Sequence, residues 1–444
     1  MSRTASVTPA SESLAAAFQP STGEPAWLAE ARVAALGAFR GAGLPTTRLE
    51  DWRYTSLAPL GALTLTRPRP DEAGPDLGAL LARVGKLEGP RLVFVNGRYR
   101  PDLTRLAGLP AGATLLSLSD ALREAPGHVR PHLFRLARPE AGALAAASAA
   151  LFEDGAFLHL PAGSAVAPPI RIIHVGGAPG AVAAAFPRLL VVAEAGALCT
   201  VLEHYVGMEE AAYLVAPVAE LVLAEGARVD HYRFQEDGAA AFHLAAVHVE
   251  QAAESRFLSH ALALGGRVSR AEVHARMNGE GGECRLSGLS LADGDRLADH
   301  LSVVEHAAPR CTTEETFKAI LDGRARGVFS GRIRVLPGAQ KTQARQSSSN
   351  LLLSDDATVD TKPQLEIFAD DVKCGHGGTV GRLDETSLFY LRSRGLDEAA
   401  ARSLLIYAFA AELVEAVRPA PLRDRARALV AARLPGGLHL LEAA

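Results

Sequence analysis

The chain reads as mainly β, with a β-solenoid core between helical N- and C-terminal regions. Three observations predict this. Between about residues 155 and 381, short β-rich runs follow one another with almost no helical periodicity. Within that stretch an element of acidic residue, small residue and alternating strand recurs. Its copies are "AEAGALCTVLEHY", "LAEGARVDHYRFQ", "QAAESRFLSHALA" and "GEGGECRLSGLSL", with Ala197, Ala227, Ser255 and Glu283 at the turn, separated by 30, 28 and 28 positions. After Gly381 the pattern becomes helical. Strands at such a period, without intervening helices, argue against a βαβ sheet and fit coils that bury their inward faces by stacking. An antiparallel sandwich, with strands every ~8 to 12 residues, is the competing architecture. The expected boundaries are a mostly helical region over 1–150, the solenoid core over 151–381 and a helical domain over 382–444.

In chain order, the Ser, Thr, Ala and Pro-rich first twenty residues read as frayed. A helix is expected from Pro25, with Leu28, Ala31, Ala35 and Phe39 as its apolar stripe and Gly41 and Gly43 ending it. Trp52 and Tyr54 follow as local core anchors. "RLVFVNGRYRPDLT" predicts a hairpin, because Asn96-Gly97 supplies two turn positions with φ > 0. "SLSDALREA" and the Ala-rich run from Glu140 to Phe152 read as helices. Beyond the solenoid, Asp384 is placed to cap a helix ended by Gly395. A second helix is expected from Asp397 to about Val417, with the stripe Ala400, Leu404, Tyr407, Ala408, Ala411 and Val414. A third, "PLRDRARALVAARL", is expected to stop at Pro435-Gly436-Gly437. The tail is expected to cap the open end of the solenoid, whose strand edges would otherwise be unpaired.

Composition bounds the function. Hydrophobic residues make up 48% of 444, enough for a sizeable core. Lys and Arg number 46 against 50 Asp and Glu, so neither nucleic acid nor an anionic membrane is an expected partner. The four cysteines, at 199, 284, 311 and 374, form no C-x-x-C pair, which points to a reduced, cytoplasmic compartment. The first residues lack the basic start and apolar core of a signal peptide, and no run of 18 apolar residues occurs. There is no Walker-A sequence, so no P-loop nucleotide site is expected, and no G-x-S-x-G or H-E-x-x-H site appears.

One stretch stands out chemically: "FADDVKCGHGGTVG", from Phe368 to Gly381. Cys374 and His376 bracket a single glycine. In an extended strand both side chains leave the same face, with Cα atoms about 6.5 to 7 Å apart. A thiolate beside an imidazole suits a soft or borderline metal such as iron or zinc, although two ligands do not close a site. The alternative is a buried cysteine and an ordinary histidine. Lys373 next to Cys374 is expected to favour the thiolate, and Gly375, Gly377 and Gly378 to let another backbone approach. Other constellations carry less. Asp293, Asp295 and Asp299 read as a solvated turn; His300, Glu305, His306 and Cys311 match no standard ligand spacing; and "AQKTQARQSSSN" reads as a surface strand or loop.

The sequence from Gly331 to Gly395, continued by "ARSLLIYAFAAELVE" and supported upstream by "LPTTRLEDWRYTSL", "FVNGRYRPDLT" and "AFLHLPAGSAVAPPIRIIHV", closely resembles the SufB/SufD family of iron–sulfur cluster assembly subunits. The resemblance implies a right-handed parallel β-helix core flanked by helical domains. It implies a non-catalytic subunit that pairs with SufB through the β-helices and binds the SufC ATPase through its C-terminal helices. Leu388, Tyr390, Leu404, Tyr407 and Ala411 are the residues expected there. It also implies a transient iron or Fe–S cluster shared with SufB, and no nucleotide bound by this chain. The family's "DDVKC-x-HG" motif maps onto Asp370, Asp371, Val372, Lys373, Cys374, His376 and Gly377, which gives His376 and Cys374 the role of proposed ligands. Where SufB-like chains carry a sulfur-accepting cysteine, this one has Ser347, Ser348, Ser349 and Asn350, so the SufD branch fits better. Two readings compete: an inert structural platform, or, from another class, a β-helix carbohydrate-active enzyme, against which the missing secretion signal weighs. In isolation the chain is expected to be able to form a homodimer.

Overall fold

A computed structural model describes residues 7–19, 23–68 and 76–434. Two parallel sheets face each other along the solenoid, and each coil contributes one strand to each. The first sheet runs through Ile170–Gly176, Leu198–Gly207, Arg228–Glu236, Arg256–Ala263, Glu283–Ala292, Thr312–Leu321, Gln343–Leu352 and Lys373–Gly381. The second runs from Gly155–Leu160 to Thr358–Ile367. This excludes the antiparallel sandwich. Leu198 pairs with Arg228, Arg228 with Arg256 and Arg256 with Glu283. The turn residue equivalent to Ala197, Ala227 and Ser255 is therefore Gly282, one position before the expected Glu283. The coil between is one residue shorter, which an inexact repeat conceals.

Alternation decides what lies inside. Inward positions such as Leu189, Val191, Val201, Leu221, Val247, Val273, Cys284 and Ile333 form the buried interior of the stack. Each such aliphatic side chain is worth roughly 1.5–3 kcal/mol when fully buried. Two strands before residue 150 also join the solenoid. Arg91–Val95 pairs in parallel with Ile170–Gly176, and Thr114–Ser117 pairs antiparallel with Gly155–Leu160. The hairpin at Asn96-Gly97 forms as expected, with φ of 50° and 79°.

The helical regions clad the sides of the stack. Leu36, Phe39, Trp52 and Leu60 pack with Leu190 and Leu244 on the outer face of the second sheet. Ile406, Ala410, Leu413, Val414, Leu422 and Leu429 pack against Tyr232, Phe234, Leu262 and Leu289 on the outer face of the first. The tail therefore does not cap the open end, because apolar outward residues on the first sheet offer it a larger surface.

Several local expectations change. The expected frayed segment holds a helix, Pro9–Ala16, opened by a reciprocal Thr8–Ser11 capping box. Asp384 and Asp397 cap Glu385–Ser393 and Glu398–Glu415 as expected. The buried face of the latter is Ala401, Ser403, Ile406, Ala410, Leu413 and Val414, so the expected stripe is rotated and only Val414 is shared. The third helix spans Ala420–Ala431, and its expected stop at Pro435 lies outside the described residues. "AQKTQARQSSSN" is no surface strand: it feeds Gln343–Leu352, whose Gln346, Ser348 and Asn350 point into the solenoid.

Candidate functional site

The solenoid ends on two strand edges that have no further partner among the described residues, Thr358–Ile367 and Lys373–Gly381. The terminal strand carries the motif. Its register sets Cys374 beside Ala344, His376 beside Gln346 and Gly378 beside Ser348, all inward-facing columns. Cys374 and His376 thus leave the same face, as the spacing predicts, and look into the last open coil. His376 is exposed, while Cys374 is half-buried against the interior. Both line a shallow cleft with Gln346 and Ser347.

The electrostatics differ from expectation at one point. Partial burial pushes the Cys374 thiol upward, and a hydrogen bond from the Ala344 backbone only partly offsets this. Lys373 occupies the opposite parity of the strand, so its ammonium faces away from the sulfur. Gly375 and Gly377 do leave room: a Cβ added at either would meet nothing within 4 Å. Asp371 pairs with Lys341, and its backbone N–H donates to Gln340 Oε1 at 2.9 Å, which ties the turn before the motif to the coil beneath.

The other constellations dissolve. Asp299 is fully buried, paired with Arg270 and accepting from Thr55 Oγ1 at 2.5 Å, so it is no part of a solvated turn. Asp295 does stay outside, bound to Arg324 at 2.7 Å. His300 bonds Ser290 (2.9 Å), His306 bonds Thr313 (2.8 Å), Glu305 pairs with Arg276, and the Cys311 thiol donates to the Gly279 carbonyl. Among the described residues no three or more His, Cys, Asp or Glu side chains converge to hold a metal ion. Cys374 and His376 stand two apart on one face of the terminal strand, and both line a cleft open to the outside.

Comparison with known proteins identifies the family. The family described as "SUF system FeS cluster assembly, SufBD core domain" matches residues 174–409, and "SufBD protein N-terminal region" matches 20–172. The chain belongs to the SufBD family of iron–sulfur cluster assembly proteins. It is 34% identical over 400 residues to the iron-sulfur cluster assembly protein SufD of Escherichia coli, covering 89% of this chain and 90% of that protein. A SufBD family protein of Synechocystis is 32% identical, covering 90% and 88%. The SufD protein of Bacillus subtilis is 26% identical, covering 88% and 90%.

In this SufBD chain the residues expected to dock an ATPase divide. Leu388 is buried, with 4% of its surface exposed, and serves packing. Tyr390 and Leu404 are exposed, Tyr407 and Ala411 half-buried. Phe389, exposed at 73%, is the most prominent apolar group on this surface and was not singled out by the sequence. The signal was present: a second aromatic beside Tyr390 on a short helix whose buried face needs only Leu388. Among the described residues no helix is long and apolar enough to cross a membrane.

Proposed function

We infer that this chain is a non-catalytic subunit of a cytoplasmic SufBCD-type assembly complex. It pairs with a SufB subunit through the open end of its solenoid and binds a SufC ATPase on Phe389, Tyr390 and Leu404. The observation that carries the reading is the placement of Cys374 and His376, side by side on the inner face of the terminal strand, whose outer edge has no partner among the described residues. Iron or a nascent cluster is the cargo there: thiolate and imidazole are competent donors for it, and SufB completes the coordination. Exposed Ile367, Phe368 and Val380 around the same edge give a partner apolar surface to cover. The chain itself contacts neither nucleotide, nucleic acid nor membrane in this reading. The half-burial of Cys374 favours a second reading, in which the motif is structural and the chain only shapes the platform.

The test is cluster assembly by the complex reconstituted with SufB and SufC, comparing wild type with His376→Ala. The variant is expected to co-purify normally and to lose at least tenfold in cluster yield. Full assembly by the variant would favour the structural reading.

A further inference from the structure

The inward column that ends in His376 continues into the solenoid as Gln346 and then Glu315. Neighbouring members stand about 4.8 Å apart, the spacing of paired strands. Gln346 is 1% exposed and Glu315 fully buried, yet both line up behind an exposed histidine. Their contacts fix an orientation. Gln346 Nε2 donates to Glu315 Oε2 at 2.6 Å, and Ser302 Oγ donates to the same oxygen at 3.0 Å. Gly331, on the facing sheet, leaves the space the amide occupies, since any side chain there would collide with it. An amide carries its nitrogen and oxygen on opposite arms, so turning the nitrogen toward Glu315 turns Oε1 away from it. Among the described residues Gln346 Oε1 has no hydrogen-bond partner. A buried carbonyl oxygen left unpaired is costly, which calls for a reason. Gln346 also lines the cleft shared by Cys374 and His376.

We propose that the amide oxygen of Gln346 is a third donor to a divalent cation held by Cys374 and His376. This rests on the metal-binding reading of that pair and extends it: the set becomes one sulfur, one nitrogen and one neutral oxygen. Such a mixed set suits a borderline ion such as Fe2+ over a hard one such as Mg2+. Glu315 and Ser302 act as positioning residues, because they orient the amide without reaching the cleft. Gln346 comes from the preceding coil, so the donor set spans two coils and does not reside in the terminal strand alone.

The experiment is a Co2+ titration followed by thiolate-to-metal charge-transfer and d–d absorption. It is run on the full-length chain and on its complex with the partner subunits. Wild type is expected to bind one Co2+ with both features. Gln346→Leu should bind at least tenfold more weakly with an altered d–d envelope, while Gln346→Glu, which restores an oxygen, should recover wild-type affinity or better. If the leucine variant does not fold, Gln346→Ser, too short to reach, carries the same expectation. Unchanged affinity and spectrum in Gln346→Leu, with His376→Ala abolishing binding, would overturn this inference alone. A wild-type protein that takes up no Co2+ in either form overturns both this inference and the metal-binding reading beneath it.

Discussion

Glu220 sits at an outward position of the second sheet, where a carboxylate would ordinarily meet water, yet it is 1% exposed. The chain from Phe134 to Ala137 covers it. Its two oxygens accept from the backbone of Phe134, Leu136 and Ala137 at 2.8–3.1 Å and from Arg188 at 2.7 Å. Arg188 in turn donates to Ser148 and lies over the Phe134 ring. This cluster fastens the N-terminal region to the solenoid. Glu220→Gln leaves a buried guanidinium without its counter-charge and is expected to cost about 3–5 kcal/mol, read as a lower denaturant midpoint. A surface-like loss below about 0.5 kcal/mol would contradict that role. Nothing in "VAELVLAEG" announced it, because the covering loop lies more than eighty residues away. Asp299 escapes sequence reasoning for the same reason: its partners Thr55 and Arg270 come from distant segments. Cys374 and His376, by contrast, were legible, since strand alternation alone puts i and i+2 on one face.

At the scale of elements, the C-terminal helix Glu398–Glu415 shows where periodicity runs out. "EAAARSLLIYAFAAELVE" is apolar on nearly every side, so the 3.6-residue repeat admits more than one stripe. The solenoid face chooses between them, aided by Lys318, whose ammonium donates to the Phe409 carbonyl at 2.9 Å and pairs with Glu412 at 2.6 Å. Of the other stripe, Leu404 and Ala408 stay exposed, as Phe389 and Tyr390 do on the preceding helix. Phe389→Asp combined with Leu404→Asp should therefore leave thermal stability nearly unchanged while abolishing co-purification of a SufC ATPase. Leu413→Ala, on the buried side, should cost about 2–5 kcal/mol and leave any surviving complex intact. Co-purification undiminished in the double variant would exclude this surface. Removing everything after Gly395 would be a poorer experiment, because it strips the outer face of the first sheet.

For the whole molecule, the approximate period was enough to predict a solenoid, because stacking is the only way such coils bury their inward faces. What the period did not predict is how much of the interior and flanks is titratable. Burial pushes His174, His260 and His306 down to about 4, and His248 and His300 to about 3. In the unfolded chain each takes up a proton near pH 6.5, while the folded protein refuses it until far lower pH. Acid therefore favours unfolding by roughly 1.4 kcal/mol per pH unit for each histidine across the window from 6.5 to about 4. Four buried or half-buried carboxyls oppose this, since burial also raises Asp230 and Asp299. Glu315, raised to about 7, and Asp154, raised to about 6, stay protonated in the fold above the pH at which the unfolded chain releases them. Their contribution is lost as pH rises. The five histidines, joined by His132 and His204, which burial also lowers, outnumber these carboxyls, so stability should climb steeply between pH 4.5 and 6.5 and flatten above 7. Denaturation midpoints measured across that range test the sign, and His300→Gln should lower the slope by about one proton. A midpoint that held constant, or rose, on acidification from 6.5 to 5 would mean that these imidazoles are not held neutral by burial.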